Sequence, residues 1–387
     1  MHFAIRGLCG AAFAVAAGSA AAQSSVTLYG VVDTFVQYMN NGGSGSVSER
    51  SGGSTGSMVG LRGSEDLGGK LKAVFDLESG FNVNNGGLMA DTSVLFYRQA
   101  WVGLRHDDYG TLSFGRQYQP SFWAIYYAEP FRGDEVLSPL AAFDLASASD
   151  RNTLATQYAP GRLSNTIFYQ SPKVYGMKLY AMYGFPTTST QPVPTTTGNV
   201  VDVALSYEGY GLYAALAYIN QHGGKETLQL APAPLAASTF DLVGTEHYTA
   251  ALAYRIGIVN LQFNYNYARP NDVAANSLVT VVPGRVSLPL DSLAHSLSYM
   301  ELGATIQASS ADVIELAALT RNVRGAHDNS VGFEVGVDHN ISKRTSLYAR
   351  AGYIKNNGTA TVSWPGYTAN TAGASQTLVA VGVSHRF

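Results

Sequence analysis

Over residues 260–267 the chain reads NLQFNYNY, and its two faces separate fully: Leu261, Phe263, Tyr265 and Tyr267 on one, Asn260, Gln262, Asn264 and Asn266 on the other. A period of two is the period of a β-strand. A core-facing strand of a soluble sandwich would look the same over so short a length, so recurrence decides. Residues 330–340 set Val331, Phe333, Val335 and Val337 against Gly332, Glu334, Gly336 and Asp338. Residues 70–78 set Leu71, Ala73, Phe75 and Leu77 against Lys70, Lys72, Asp76 and Glu78. One face stays apolar while the other carries charge, strand after strand, which is the pattern of membrane strands with lipid outside and water inside.

Sixteen segments fit, beginning near Val26, Met58, Leu71, Leu95, Gly110, Asn165, Lys178, Val200, Gly211, Tyr248, Val259, Leu297, Asp312, Ser330, Thr345 and Thr377. Short connections (for example 66–69, 106–109 and 256–258) alternate with long ones (40–57, 82–94, 117–152, 184–199, 222–247, 268–296, 321–329 and 355–376). Short periplasmic turns and long outer loops require this alternation; a soluble sandwich does not. The chain therefore reads as all-β, a 16-stranded antiparallel transmembrane β-barrel. In hydrocarbon an unpaired backbone N–H or C=O costs several kcal/mol, so the sheet must close on itself. Sixteen strands leave an aqueous channel.

Composition agrees. Only 13% of the 387 residues are charged, with 41 Gly and 24 Tyr, against roughly 25% charged in soluble domains. The tyrosines suit the interfacial belts of such a barrel. The body of the chain lacks the run of about 20 apolar residues that a membrane helix needs. Its first residues differ: Arg6, an apolar stretch over 8–17, and Ala20-Ala21-Ala22 before Gln23 make a secretory signal peptide of residues 1–22. Residues 23–387 are then one barrel domain, exported to an outer membrane. The one cysteine, Cys9, leaves with the leader, so no thiol chemistry is expected. Losing Arg6 leaves 23 basic residues against 27 acids, a net of −4, and no basic bias suggests nucleic acid.

The long connection 117–152 breaks the strand rhythm for 36 residues. A structureless loop of that length in a regular protein has a function or is disordered. Phe122, Trp123, Ile125, Tyr126, Tyr127, Phe131, Leu137, Leu140 and Phe143 are too many packing groups for disorder. It reads as a long third loop folded into the lumen and narrowing it, with Asp134 and Glu135 in the water path. Parity directs Arg62 inward, opposite in sense to Val59 and Leu61. Arg116 shares the parity of the apolar Leu112 and Phe114, which leaves its direction open.

Several blocks carry a family likeness: SVTLYGVVD (25–33), VGLRGSEDLGGKLKAVFDLESGF (59–81), RQAWVGLRHDDYGTLSFGRQ (98–117), NTIFYQSP (165–172) and the terminal aromatic strand ending at Phe387. With these the chain resembles the trimeric general porins of Gram-negative outer membranes, β-proteobacterial and neisserial branch. The resemblance implies three barrels per homotrimer, embedded in outer-membrane lipid, and an inward third loop forming the pore constriction. It makes Asp134, in the segment PFRGD, the first acid of that constriction, followed by Glu135 and Glu129. It places Arg98 inward at the head of the fourth strand, where alternation sets Leu95, Tyr97 and Trp101 outward, and it matches Arg162 to the arginine that opens the sixth strand. Phe387 looks like the signal read by the barrel-insertion machinery. Met58 stands where many relatives carry an arginine, so the expected pore is near-neutral or weakly cation-preferring. Acids facing guanidiniums across a narrow gap would orient dipolar solutes and tune ion preference.

The implied function is passive diffusion of ions and small hydrophilic solutes, with no catalysis and no cofactor. A substrate-selective pore, an outer-membrane hydrolase, and a plugged structural or adhesion barrel stand as alternatives. Gly52-Gly53-Ser54-Thr55-Gly56 matches a nucleophile-elbow pattern but lacks the strand-to-helix turn that chemistry needs. GSEDLGGK (63–70) has the wrong spacing for a phosphate loop, and the eight histidines show no metal spacing. Residues 42–56 and 187–198 read as low-complexity, mobile outer loops.

Overall fold

The computed structural model describes residues 25–89, 94–133, 136–137, 161–186, 198–222, 224–228, 238–242, 244–271, 278–282, 285–289, 296–324, 328–365 and 371–387. The predicted leader, Asp134, Glu135 and most of the 187–198 loop lie outside them. The first half of the chain forms β1 (Ser25–Asn41), β2 (Ser44–Ser51), β3 (Met58–Gly68), β4 (Leu71–Gly80), β5 (Gln99–His106), β6 (Gly110–Tyr118), the helix α1 (Pro120–Tyr126), β7 (Arg162–Gln170), β8 (Met177–Gly184), β9 (Val200–Gly209) and β10 (Leu212–Gln221). There follow β11 (Gly224–Leu228), β12 (Ser238–Leu242), β13 (Gly244–Ile256), β14 (Val259–Asn271), β15 (Leu278–Val282), β16 (Arg285–Pro289), β17 (Ser296–Gln307), β18 (Asp312–Arg324), β19 (Asp328–Asn340), β20 (Thr345–Asn356) and β21 (Ser375–Arg386).

Each barrel strand pairs antiparallel with its neighbours, and β21 returns to pair with β1 from Val31↔Arg386 to Asn41↔Gln376, closing the sheet. Reciprocal bonds between Gly30 and Phe387 extend that seam to the last residue. The sheet has sixteen staves, because β2 and β3 both pair with β1 and form one stave broken by residues 52–57. The hairpins β11–β12 and β15–β16 belong to long connections and stand outside the main sheet.

The stretch 42–56 is therefore not the mobile loop its Ser/Gly composition suggested. Gly42 and Gly43 both adopt positive φ (66° and 95°), as a two-residue hairpin turn demands, and β2 folds straight back along β1. The excursion at 52–57 is then gathered by Asp33, whose buried carboxylate accepts from Gly53 N–H (2.6 Å), Thr55 N–H (3.3 Å) and the Tyr348 hydroxyl (2.6 Å).

The dyad pattern holds where two solvents compete for the strand. In β14, Leu261 is 50% exposed on the outer face, whereas Gln262, Asn264 and Asn266 point inward and are buried. The fourth stave corrects one expectation. It starts at Gln99, not Leu95, and Trp101 pairs with the inward Asp76 while Val102 and Leu104 are exposed outside. Trp101 therefore faces the lumen.

The apolar core lies inside the barrel, between the loop and one side of the wall. Phe131, Val136 and Leu137 pack with Tyr299, Leu319, Tyr348 and Trp364. Ala124 and Ala128 pack with Leu163, Phe168, Met182, Val200 and Ala215.

Candidate functional site: the lumen constriction

The third loop enters the lumen at Gln119. Pro120 at the first helical position supplies the φ a helix start requires and lacks only an N–H that would have no helical partner. Asp202 on β9, fully buried, pins this end: it accepts from Ser121 N–H (3.1 Å), Ser121 Oγ–H (2.7 Å) and Gln119 Nε2 (3.3 Å). The Tyr213 hydroxyl on β10 donates to the Trp123 and Ala124 carbonyls at 3.2 and 3.0 Å. Asn264 on β14 donates to the Ala128 carbonyl at 2.9 Å and to Glu301 at 2.8 Å.

Past α1 the loop stays on the wall. A Cβ at Gly303 would come within 2.2 Å of Pro130, and one at Gly352 within 2.6 Å of Leu137; only glycine lets the loop lie so close. The Arg350 guanidinium sits over the Phe131 ring at 5.7 Å while pairing with Glu315 and Asp338 at 3.3 and 2.9 Å. Val136 N–H then donates to the Gly53 carbonyl, joining the loop to the excursion held by Asp33. The described part of the loop thus packs against staves from β7 round to β21 and leaves Arg62 on β3, Trp101 and Arg105 on β5 and Lys178 on β8 bordering open water.

Facing that open wall, the loop presents rings. Tyr118 stacks on Phe122 at 4.5 Å, and contacts continue through Trp123, Tyr126 and Tyr127 to Tyr213. Burial raises the Tyr126 and Tyr127 hydroxyl pKa values, so both rings are neutral phenols across the physiological range. A cavity of about 370 Å³ lies between rings and wall, lined by Arg62, Arg105, Lys178, Trp101, Trp123 and Tyr127 among others. It opens into a second space of about 820 Å³ toward the short turns, sharing Arg105, Tyr127, Lys178 and Tyr180. That larger space is bordered by five cations (Arg105, Arg132, Lys173, Lys178, Arg255) against Asp107 and Glu208.

The residues expected at the constriction fare differently. Arg62 points inward, 61% exposed, and pairs with Asp76 at 3.1 Å. Arg98 lies just before β5, buried, at 3.6 Å from Glu78 and 3.3 Å from the Tyr118 hydroxyl. Arg162 opens β7 and lies 4.2 Å over the Tyr118 ring, also donating to its hydroxyl. Two β7 residues, Ser164 and Asn165 (φ 56°), oppose Arg116 alone, a bulge that separates Arg162 from the regular ladder; such bulges re-aim side chains. Glu129 is entirely buried and accepts from Gly133 N–H, so it caps a turn inside the loop and does not stand in the water path. Arg116 pairs opposite Ala100 and turns its guanidinium onto the Tyr97 ring (4.9 Å), Ser164 and the Tyr97 carbonyl.

Three lumen cations escaped the sequence reading. Arg105 shares the face of Trp101, and its direction was hidden by the misplaced strand start. Lys178 shares the parity of Tyr180 on β8. Arg132 occupies a positive-φ turn position (48°) that alternation cannot read.

The model of the Gram-negative porin family matches residues 10–359, nearly the whole chain. This chain belongs to that family. An outer membrane porin protein of Bordetella pertussis is 30% identical over 417 residues, spanning 98% of this chain and 99% of that one. Outer membrane porin protein 32 of Delftia acidovorans is 28% identical over 391 residues, spanning 99% of each. Among solved structures, the anion-selective porin from Comamonas acidovorans superposes with a TM-score of 0.73 at 25% identity, over 94% of this chain and all of that one. The chain therefore resides in the bacterial outer membrane, and its family consists of channels.

Proposed function

We propose that this porin passes small hydrophilic solutes and ions by passive diffusion, catalyses nothing, and prefers anions. The observation that carries the preference is the charge of the open lumen. Arg62 is offset by Asp76 and Arg98 by Glu78, while Arg105 and Lys178 border both cavities without an acidic partner among the described residues. Lys178 is held by the neutral Gln170 at 3.1 Å and Arg105 by Thr111 at 3.3 Å. A ring of cations in a narrow aqueous path favours anions. This replaces the near-neutral or weakly cation-preferring pore expected from Met58 and the acids of the loop. Asp134 and Glu135, the acids expected of the loop, lie outside the described residues.

The working unit in this reading is a homotrimer in outer-membrane lipid, inserted through recognition of Phe387, which is exposed at the outer face of the closing seam. Planar-bilayer recording tests both parts. Conductance is expected in steps of three, with a zero-current potential of anionic sign that collapses in Arg105→Gln/Lys178→Gln. Folded protein without conductance would end the channel reading, and a cationic sign would end the anion preference.

A further inference from the structure

We infer that the constriction binds small aromatic carboxylates, stacking their rings on the loop while Arg105 and Lys178 hold the carboxylate. This rests on the anion preference proposed above and adds to it a ligand class. The first observation is the make-up of the cavity at α1. Trp101 and Tyr118 on the wall and Trp123 and Tyr127 on the loop all line it. Trp123 and Tyr126 are half-buried and Tyr127 is 45% exposed, so their remaining ring surface meets lumen water. A general water path gains nothing from apolar surface there, whereas a planar apolar ligand does.

The second observation is that the rings are rigidly presented. Asp202 and Tyr213 hold the backbone of α1 from behind, and each ring rests edge or face on the next. Pre-organised rings spend little ordering entropy on a ligand. The third is the polarity of what faces them. Ser64, Gln99, Gln117 and Gln170 add neutral donors and acceptors to the lining, but its charged groups, Arg62 with Asp76, Arg105 and Lys178, leave it net positive and favour a carboxylate over an uncharged sugar. Cations beside aromatic faces suit a solute that is itself flat and negatively charged. The volume, about 370 Å³, is of the size that holds small molecules.

The test uses purified full-length trimer in bilayers, with benzoate, cyclohexanecarboxylate and benzyl alcohol as probes. Benzoate is expected to interrupt the current at concentrations roughly threefold to tenfold lower than cyclohexanecarboxylate, the span one stacking contact supplies. Benzyl alcohol is expected to act only far more weakly. Tyr127→Leu should erase the difference between the two carboxylates, and Trp101→Leu on the wall provides the same readout if the loop variant does not fold. Equal block by both carboxylates, or block by benzyl alcohol as strong as by benzoate, would overturn the inference. The chloride zero-current potential, read in the same membranes, reports separately on the anion preference.

Discussion

Two sides of one barrel wall carry charge on the same inward parity and use it in opposite ways. Along β14 to β20, Glu301, Glu315, Glu334, Arg321 and Arg350 are buried, because the loop lies over them with Pro130 on Gly303 and Leu137 on Gly352. Along β3 to β8, Arg62, Arg105 and Lys178 line open water. The covered side is a scaffold, in which Arg350 pairs with two acids beneath Phe131. The open side is the pore surface. Alternation tells which residues point inward; the loop decides which of those meet a solute.

The contrast can be broken from the covered side first. Arg350→Gln removes a charged partner from both Glu315 and Asp338 in a buried setting, where such losses cost about 3–5 kcal/mol. The expected outcome is a clearly lower unfolding temperature of the detergent-solubilised protein; an unchanged one would mean that the pairs are not structural. Asp202→Ala comes next. It leaves Ser121 and Gln119 without their acceptor, at roughly 1–3 kcal/mol for a buried polar group left unsatisfied, and frees one end of the loop. Single-channel recording should show noisier, larger currents, and quiet currents of wild-type size would place the loop's anchor elsewhere.

Gly352→Leu presses on Leu137 and Trp364 from below. Overpacking of this kind costs about 1–3 kcal/mol, and lifting the loop from its seat should alter conductance without reversing ion preference. The smallest effect is expected at the short-turn end, where Lys70 and Asp108 pair at 2.8 Å, both fully exposed. The pair raises Lys70 and lowers Asp108, so any contribution from Asp108 is present at neutral pH and lost only as pH falls through its depressed value. Screening makes that contribution small. Thermal melts of Lys70→Gln and the parent should differ only slightly at neutral pH, and that small difference should vanish in acid.

Much of the fold was legible because hydrocarbon and water face each strand from opposite sides. Leu261, Phe263 and Tyr265 alternating with Gln262, Asn264 and Asn266 suit both solvents, and the recurrence of that alternation from strand to strand marks a membrane barrel. Arg62 was legible by the same parity. The pattern failed where one solvent is missing or the ladder is irregular. β2 is Ser/Gly-rich on both faces, so composition hid a strand that pairing with β1 enforces. Leu95 and Tyr97 continued an apparent alternation into β5 and turned Trp101 the wrong way, so that Arg105 on the same face was missed. Glu129 looked like its acidic neighbours in the loop, and only the fold of the loop on itself shows that Gly133 holds it out of the water. A linear pattern records which solvent a residue faces, not what later folds over it.

The most direct measurement is the zero-current potential across a KCl gradient for Arg105→Gln and Arg350→Gln, compared with the parent. Each variant deletes one inward positive charge, one on each side of the barrel. The account predicts that Arg105→Gln moves the potential toward cation preference and that folded Arg350→Gln leaves it where it was. Equal shifts in both, or a shift in Arg350→Gln alone, would contradict the division of the lumen into a covered scaffold and an open conducting wall.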